Sequence, residues 1–119
     1  MLDKLNGQVA DVTIPGGAFD KNTKVGWKLN GTGTSYVNGS AAPIQGITGV
    51  TVRTTKTFGQ VKFTIRGKNS AYPVAVGETP LAATLVLDPP FAETGQCVAT
   101  TFAPASCKFN PSGATATCK

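Results

Sequence analysis

Apolar and polar residues alternate along much of this chain with a period of two, the spacing at which a β-strand sends successive side chains to opposite faces. Gln60 to Arg66 is the clearest run: Val61, Phe63 and Ile65 fall on one face, and Gln60, Lys62, Thr64 and Arg66 on the other. Lys24 to Leu29 repeats the pattern, with Val25, Trp27 and Leu29 expected inward and Lys24 and Lys28 outward. Val9 to Ile14 alternates until Pro15-Gly16-Gly17 stops it, and Gly49 to Thr54 places Val50 and Val52 on one face. Thr55 to Gly59 has the length of a hairpin loop between the strands on either side. Trp27, the single tryptophan, reads as the largest core residue.

Asn30 to Ala42 is polar and glycine-rich, and predicts a short edge strand around Ser35-Tyr36-Val37 within a long loop. Pro43 to Ile47 reads as a connector. Leu81 to Leu87 is almost wholly apolar and bounded by prolines, which predicts a central strand covered on both faces. Cys97 to Ala103, Ser106 to Asn110 and Ala114 to Cys118 complete the series, with Pro111-Ser112-Gly113 as the last turn. No segment carries a strong helical period. The expected fold is therefore all-β: an antiparallel β-sandwich or partly open barrel of about seven short strands with little or no helix. The 119 residues fit a single domain spanning 1–119.

Composition narrows the chemistry. Charged residues are 14% of the chain and histidine is absent, which removes the commonest general base and metal ligand. The six acids, Asp3, Asp11, Asp20, Glu78, Asp88 and Glu93, are scattered without the spacing of a paired carboxylate site. The reading is a non-enzymatic domain with no cofactor and no metal. The net charge of +5 comes from cations spread over the whole length, so a solvated outer face is the first reading and a face that docks on an acidic partner the second. Nucleic acid is not expected as a partner, because neither a recognition helix nor a stacking-aromatic motif is present. No stretch is apolar and long enough to span a membrane, and Met1 to Leu5 lacks the apolar run of a signal peptide.

Three cysteines, Cys97, Cys107 and Cys118, sit in the last quarter of the chain. A four-residue loop at 111–114 would put Asn110 opposite Thr115, and counting outward then sets Cys107 opposite Cys118, as a cross-strand disulfide requires. The alternative, Cys97–Cys107, would fold its hairpin at Phe102 and leave Pro104 in the returning strand, where a donor is needed. Cys107–Cys118 is the better geometry. Cys97 is then a buried small hydrophobe or an intermolecular partner. Disulfide use points to an oxidising, extracellular or cell-surface location, reached through a signal not visible in this chain.

Several stretches resemble β-sandwich modules of secreted bacterial proteins: Asp11-Val12-Thr13-Ile14-Pro15-Gly16-Gly17-Ala18-Phe19, Lys24-Val25-Gly26-Trp27-Lys28, Val61 to Asn69, and Leu87-Asp88-Pro89-Pro90 followed by Thr94-Gly95-Gln96-Cys97 and Ser106-Cys107. More sharply, a compact β chain with C-terminal cysteines and no apolar N-terminal helix resembles the globular half of a split type IV pilin, the geopilin domain 2. That resemblance implies a structural subunit of an extracellular filament, docked on a separate helical pilin chain. It implies that Arg53, Lys62, Arg66 and Lys68 meet acids on that partner.

The competing expectation is a secreted immunoglobulin-like module that binds carbohydrate or another surface ligand. Tyr36, Tyr72, Phe58 and Trp27 would be the stacking rings, with Tyr36 and Phe58 in loop-like, exposable stretches. Asn30-Gly31-Thr32 and Asn38-Gly39-Ser40 match the N-glycosylation pattern and read as exposed loops.

Overall fold

A computed structural model describes residues 7, 9–68, 72, 77–87, 97–112 and 115–119. The chain is all-β and antiparallel as expected: the described residues form eight strands in sheets of four, two and two, and no described sheet closes into a barrel. The chain groups into two compact units, Val12–Ala71 and Met1–Asp11 with Tyr72–Lys119.

The first unit is a four-stranded meander in the order β1-β2-β3-β4: β1 Val25–Asn30, β2 Gly33–Asn38, β3 Ile47–Thr54 and β4 Val61–Gly67. β1 turns into β2 through two residues, Gly31 and Thr32, with Asn30 opposite Gly33. Gly31 takes a positive φ of 36°, the backbone that tight hairpins need at their first central position. β2 is thus an interior strand paired on both sides, not an edge strand in a loop. Its polar composition hid this, because Thr34 and Ser35 occupy the middle of the sheet. A 3-10 turn at Ile44–Gly46 leads into β3, and a loop at 55–60 joins β3 to β4.

The register lines up four apolar side chains across the sheet: Trp27, Tyr36, Val50 and Ile65. Burial follows strand position. Tyr36 and Val50 on the interior strands are buried, Trp27 is half-buried, and Ile65 on the outer strand is 40% exposed. Tyr36, at 1% exposure, is the largest fully buried side chain, a place the sequence assigns to Trp27. The two rings lie 5.5 Å apart and tilted by 52°, an arrangement that favours their quadrupoles. The next row along, Leu29, Thr34, Val52 and Phe63, runs toward the β1–β2 turn. There Leu29 is 92% exposed rather than inward, being next to the last residue of an outer strand.

Val9 to Ile14 forms no strand. Exposure does alternate from Asp11 to Ile14, but no ladder is built. The period reports which side of an extended chain faces the protein, not whether a neighbouring strand exists. The segment that follows instead lies along β1: the Trp27 N–H donates to Gly17 O and the Phe19 N–H to Trp27 O. The Trp27 indole N–H also donates to Pro15 O at 2.9 Å. Gly26, at φ 130°, permits this approach, since a Cβ there would stand 2.5 Å from Ala18 O.

The second unit carries two hairpins: β5 Leu81–Val86 with β6 Cys97–Phe102, and β7 Cys107–Phe109 with β8 Ala116–Cys118. β5 is not a central strand: among the described residues it pairs with β6 alone, and Thr84, Val86 and Leu87 are exposed. Its apolar run is built partly from Ala82 and Ala83, which are small enough to need little cover. The Asn110 N–H donates to Thr115 O, Thr115 N–H returns to Asn110 Oδ1, and Cys107 stands opposite Cys118. The Cys107–Cys118 disulfide is formed as the loop count predicts. Cys97 is a free, exposed thiol rather than a buried one. The predicted turn at 111–114 lies partly outside the described residues.

Candidate functional site

The four-stranded sheet divides into two unlike faces. The rows through Tyr36 and Val52 are apolar. The opposite face interleaves them: Lys28, Ser35, Thr51 and Thr64 form one row, Gly33, Arg53 and Lys62 a second, and Gly26, Val37, Gly49 and Arg66 a third. Side-chain alternation sends Lys62 and Arg66 to the same side of β4, and the β3–β4 register puts Arg53 on that side too. Arg53 and Lys62 are directly opposed across β3 and β4, and Arg66 lies four residues along from Lys62.

Lys68 falls just past the end of β4, where its N–H donates to Gly46 O at 2.8 Å. It borders a shallow depression of about 320 Å³ with Thr48, Gly46 and Ser40. Three of the four sequence-predicted partner residues therefore share one strand-built face, and the fourth stands at its rim.

Hydroxyl groups floor this face. Asn30 Nδ2 donates to Ser35 Oγ at 2.7 Å, and Ser35 Oγ reaches Thr51 Oγ1 at 3.4 Å. A second depression, of about 310 Å³, is lined by Ser35, Val37, Gly49, Thr51, Thr64 and Arg66. Gly49 leaves it open, because it supplies no side chain between Val37 and Arg66. At the β1 side, the Lys28 ammonium rests 3.7 Å from the centroid of the Phe19 ring, a cation–π contact that fixes a flexible side chain.

No acid belongs to this sheet. Eight of the eleven cations, Lys21, Lys24, Lys28, Arg53, Lys56, Lys62, Arg66 and Lys68, lie between residues 21 and 68, and the chain has no Asp or Glu from 21 to 77. The cations are thus already gathered in one acid-free stretch of the sequence, and folding puts Lys28, Arg53, Lys62 and Arg66 on one face of the sheet. Lys28 and the Ser35–Thr51–Thr64 row are the members that sequence reading missed. The acid-free stretch was the available signal for Lys28. The hydroxyl row needed the β2 register.

Of the rings considered for sugar stacking, those of the four-stranded unit form no exposed platform. Tyr36 is buried, with its hydroxyl accepting from Asn38 Nδ2 at 3.1 Å, and Trp27 is half-buried. Phe58, in the loop between β3 and β4, is fully exposed. Nor is Asn38 an exposed glycosylation acceptor: it is buried, and its Oδ1 accepts from Ser40 N and Ser40 Oγ.

Among the described residues no three His, Cys, Asp or Glu side chains gather, and no helix is long and apolar enough to cross a membrane. Against this geometry, comparison with known protein families, with curated proteins and with solved structures returns no match.

Proposed function

We propose that this chain is a non-catalytic structural and interaction subunit, which docks through the basic, hydroxyl-rich face of its four-stranded sheet on an acidic surface of a partner chain. One observation carries the reading: Lys28, Arg53, Lys62 and Arg66 share a sheet face to which no strand contributes an acid. A face of one sign steers a partner of the other sign and selects against like-charged ones. The rows of Ser and Thr between the cations offer short donors and acceptors, which suit a flat protein surface better than a cleft for a small substrate.

The finer reading is a subunit of an extracellular, pilus-like filament, held non-covalently on a separate helical pilin chain. Its support is the resemblance of a compact β chain with C-terminal cysteines to that class, together with the Cys107–Cys118 disulfide, which is compatible with an oxidising compartment.

The test is co-purification from the native source, followed by titration of the purified partner against wild type and the triple variant R53E/K62E/R66E. Micromolar binding that weakens at least tenfold in the variant and falls with rising salt is expected. Equal binding by both proteins, or a wild-type chain that stays alone at micromolar concentration, overturns the proposal. Tight retention on DNA or on a sulfated polysaccharide at 200 mM salt would replace the protein partner with a polyanion.

A further inference from the structure

The backbone edge of β4 is a second surface, distinct from the flat face. A four-stranded sheet has two edges. The outer edge of β1 is occupied by its own chain, through bridges between Ala18 and Trp27 and between Asp20 and Val25. β4 pairs with β3 alone among the described residues. Val61 and Ile65 remain 49% and 40% exposed there, and Lys62, Thr64 and Arg66 are exposed as well.

The ladder tells which backbone groups point outward. Thr54 N–H donates to Thr32 O, toward β2, and Thr55 N–H donates to Gln60 O, toward the β4 side. Antiparallel pairing alternates along the strand, so Lys62, Thr64 and Arg66 are bonded to β3, and Val61, Phe63 and Ile65 turn their N–H and C=O groups to the free edge.

We infer that this edge takes an extended, acidic segment of a partner chain as an added antiparallel fifth strand. A partner strand must match two alternating faces at once. Its residues opposite Val61, Phe63 and Ile65 lie on the apolar side and make the backbone bonds. Its residues opposite Lys62, Thr64 and Arg66 lie on the basic side and carry Asp or Glu. A second copy of this chain does not fit. Its β4 has only Lys62, Thr64 and Arg66 to offer on that side, so a copy paired about Thr64 sets Lys62 against Arg66, and no register supplies an acid. Edge cations of this kind protect against self-pairing, and the same charges select an acidic strand. Lys62 and Arg66 serve both surfaces, so this inference shares them with the proposed function, but edge pairing also needs the outward backbone groups of Val61, Phe63 and Ile65, which docking on the flat face does not use.

The experiment uses the whole chain and fluorescent nine-residue peptides in which Val or Ile alternates with Glu, read by anisotropy. Binding at micromolar concentration is expected. N-methylation of the Val and Ile amides should weaken it at least tenfold, N-methylation of the Glu amides should leave it within twofold, and K62E/R66E should weaken it at least tenfold. The N-methyl pair separates edge pairing from attraction to a basic face, since docking on that face by charge alone treats both peptides alike. Equal affinity of the two methylated peptides, or of a peptide with its Glu residues grouped at one end, overturns the inference, as does no binding at 100 μM.

Discussion

Arg53 on β3 and Lys62 on β4 stand directly opposite each other, so two cations occupy one cross-strand pair. Like charges in that position destabilise a sheet by a few tenths of a kcal/mol up to about 1 kcal/mol. No acid on the sheet relieves them. Lys62→Glu should therefore raise the stability of the isolated chain slightly, seen as a higher urea midpoint at low salt, while weakening an acidic partner by about tenfold, roughly 1.4 kcal/mol. A variant that loses stability and keeps its partner would reverse the account of this face.

Gly26 decides whether the segment at 17–20 can cover the outer edge of β1. Gly26→Ala places a Cβ against the Ala18 backbone and forces a φ of 130° on a residue with a side chain. Strain and overpacking together should cost roughly 2–4 kcal/mol. Thermal unfolding followed by Trp27 fluorescence measures it, because Trp27 is hydrogen-bonded to the same segment. Gly59 serves as the comparison: its φ is 78°, but a Cβ added there would meet nothing within 4 Å, so Gly59→Ala should cost less.

Tyr36 and Asn38 form a buried polar pair on β2. Tyr36→Phe keeps the ring and removes the hydroxyl that accepts from Asn38 Nδ2, leaving a buried donor unpaired at about 1–3 kcal/mol. Tyr36→Ala empties the centre of the apolar row as well, for a loss of about 3–5 kcal/mol by analogy with other large aromatic truncations. Chemical denaturation of the two variants should rank them in that order.

The cysteines are unlike in reactivity. Alkylation of the native chain should modify one thiol, Cys97, and peptide mass mapping should find Cys107 and Cys118 still joined. Reduction releases a loop of modest length, so it should lower stability by about 2–3 kcal/mol, chiefly by freeing the unfolded chain.

Much of the fold is legible in the chain alone. The count across 111–114 places Cys107 against Cys118 because a hairpin register follows from its loop length. Gln60 to Arg66 alternates strongly enough to read as a strand directly, and it does become β4. Gly31 beside Asn30 is a hairpin signal, yet the polar residues after it disguised β2 as a short edge strand within a loop. Leu81 to Leu87 misled in the other direction, since an apolar run does not say how many of its faces are covered.

Sequence by itself determined the antiparallel β character of the chain, the sorting of each strand's side chains into two sets, and the disulfide pair. These are local properties, set by a backbone period of two residues and by short loops. Tertiary structure alone decided that Tyr36 and not Trp27 lies at the centre, that Leu29 and Ile65 face solvent, and that Lys28, Arg53, Lys62 and Arg66 share one face of the sheet. Those outcomes depend on which strand lies beside which, and in what register. That is settled by hydrogen-bond ladders between residues distant in the chain, as when Lys28 and Thr64 come to share one row.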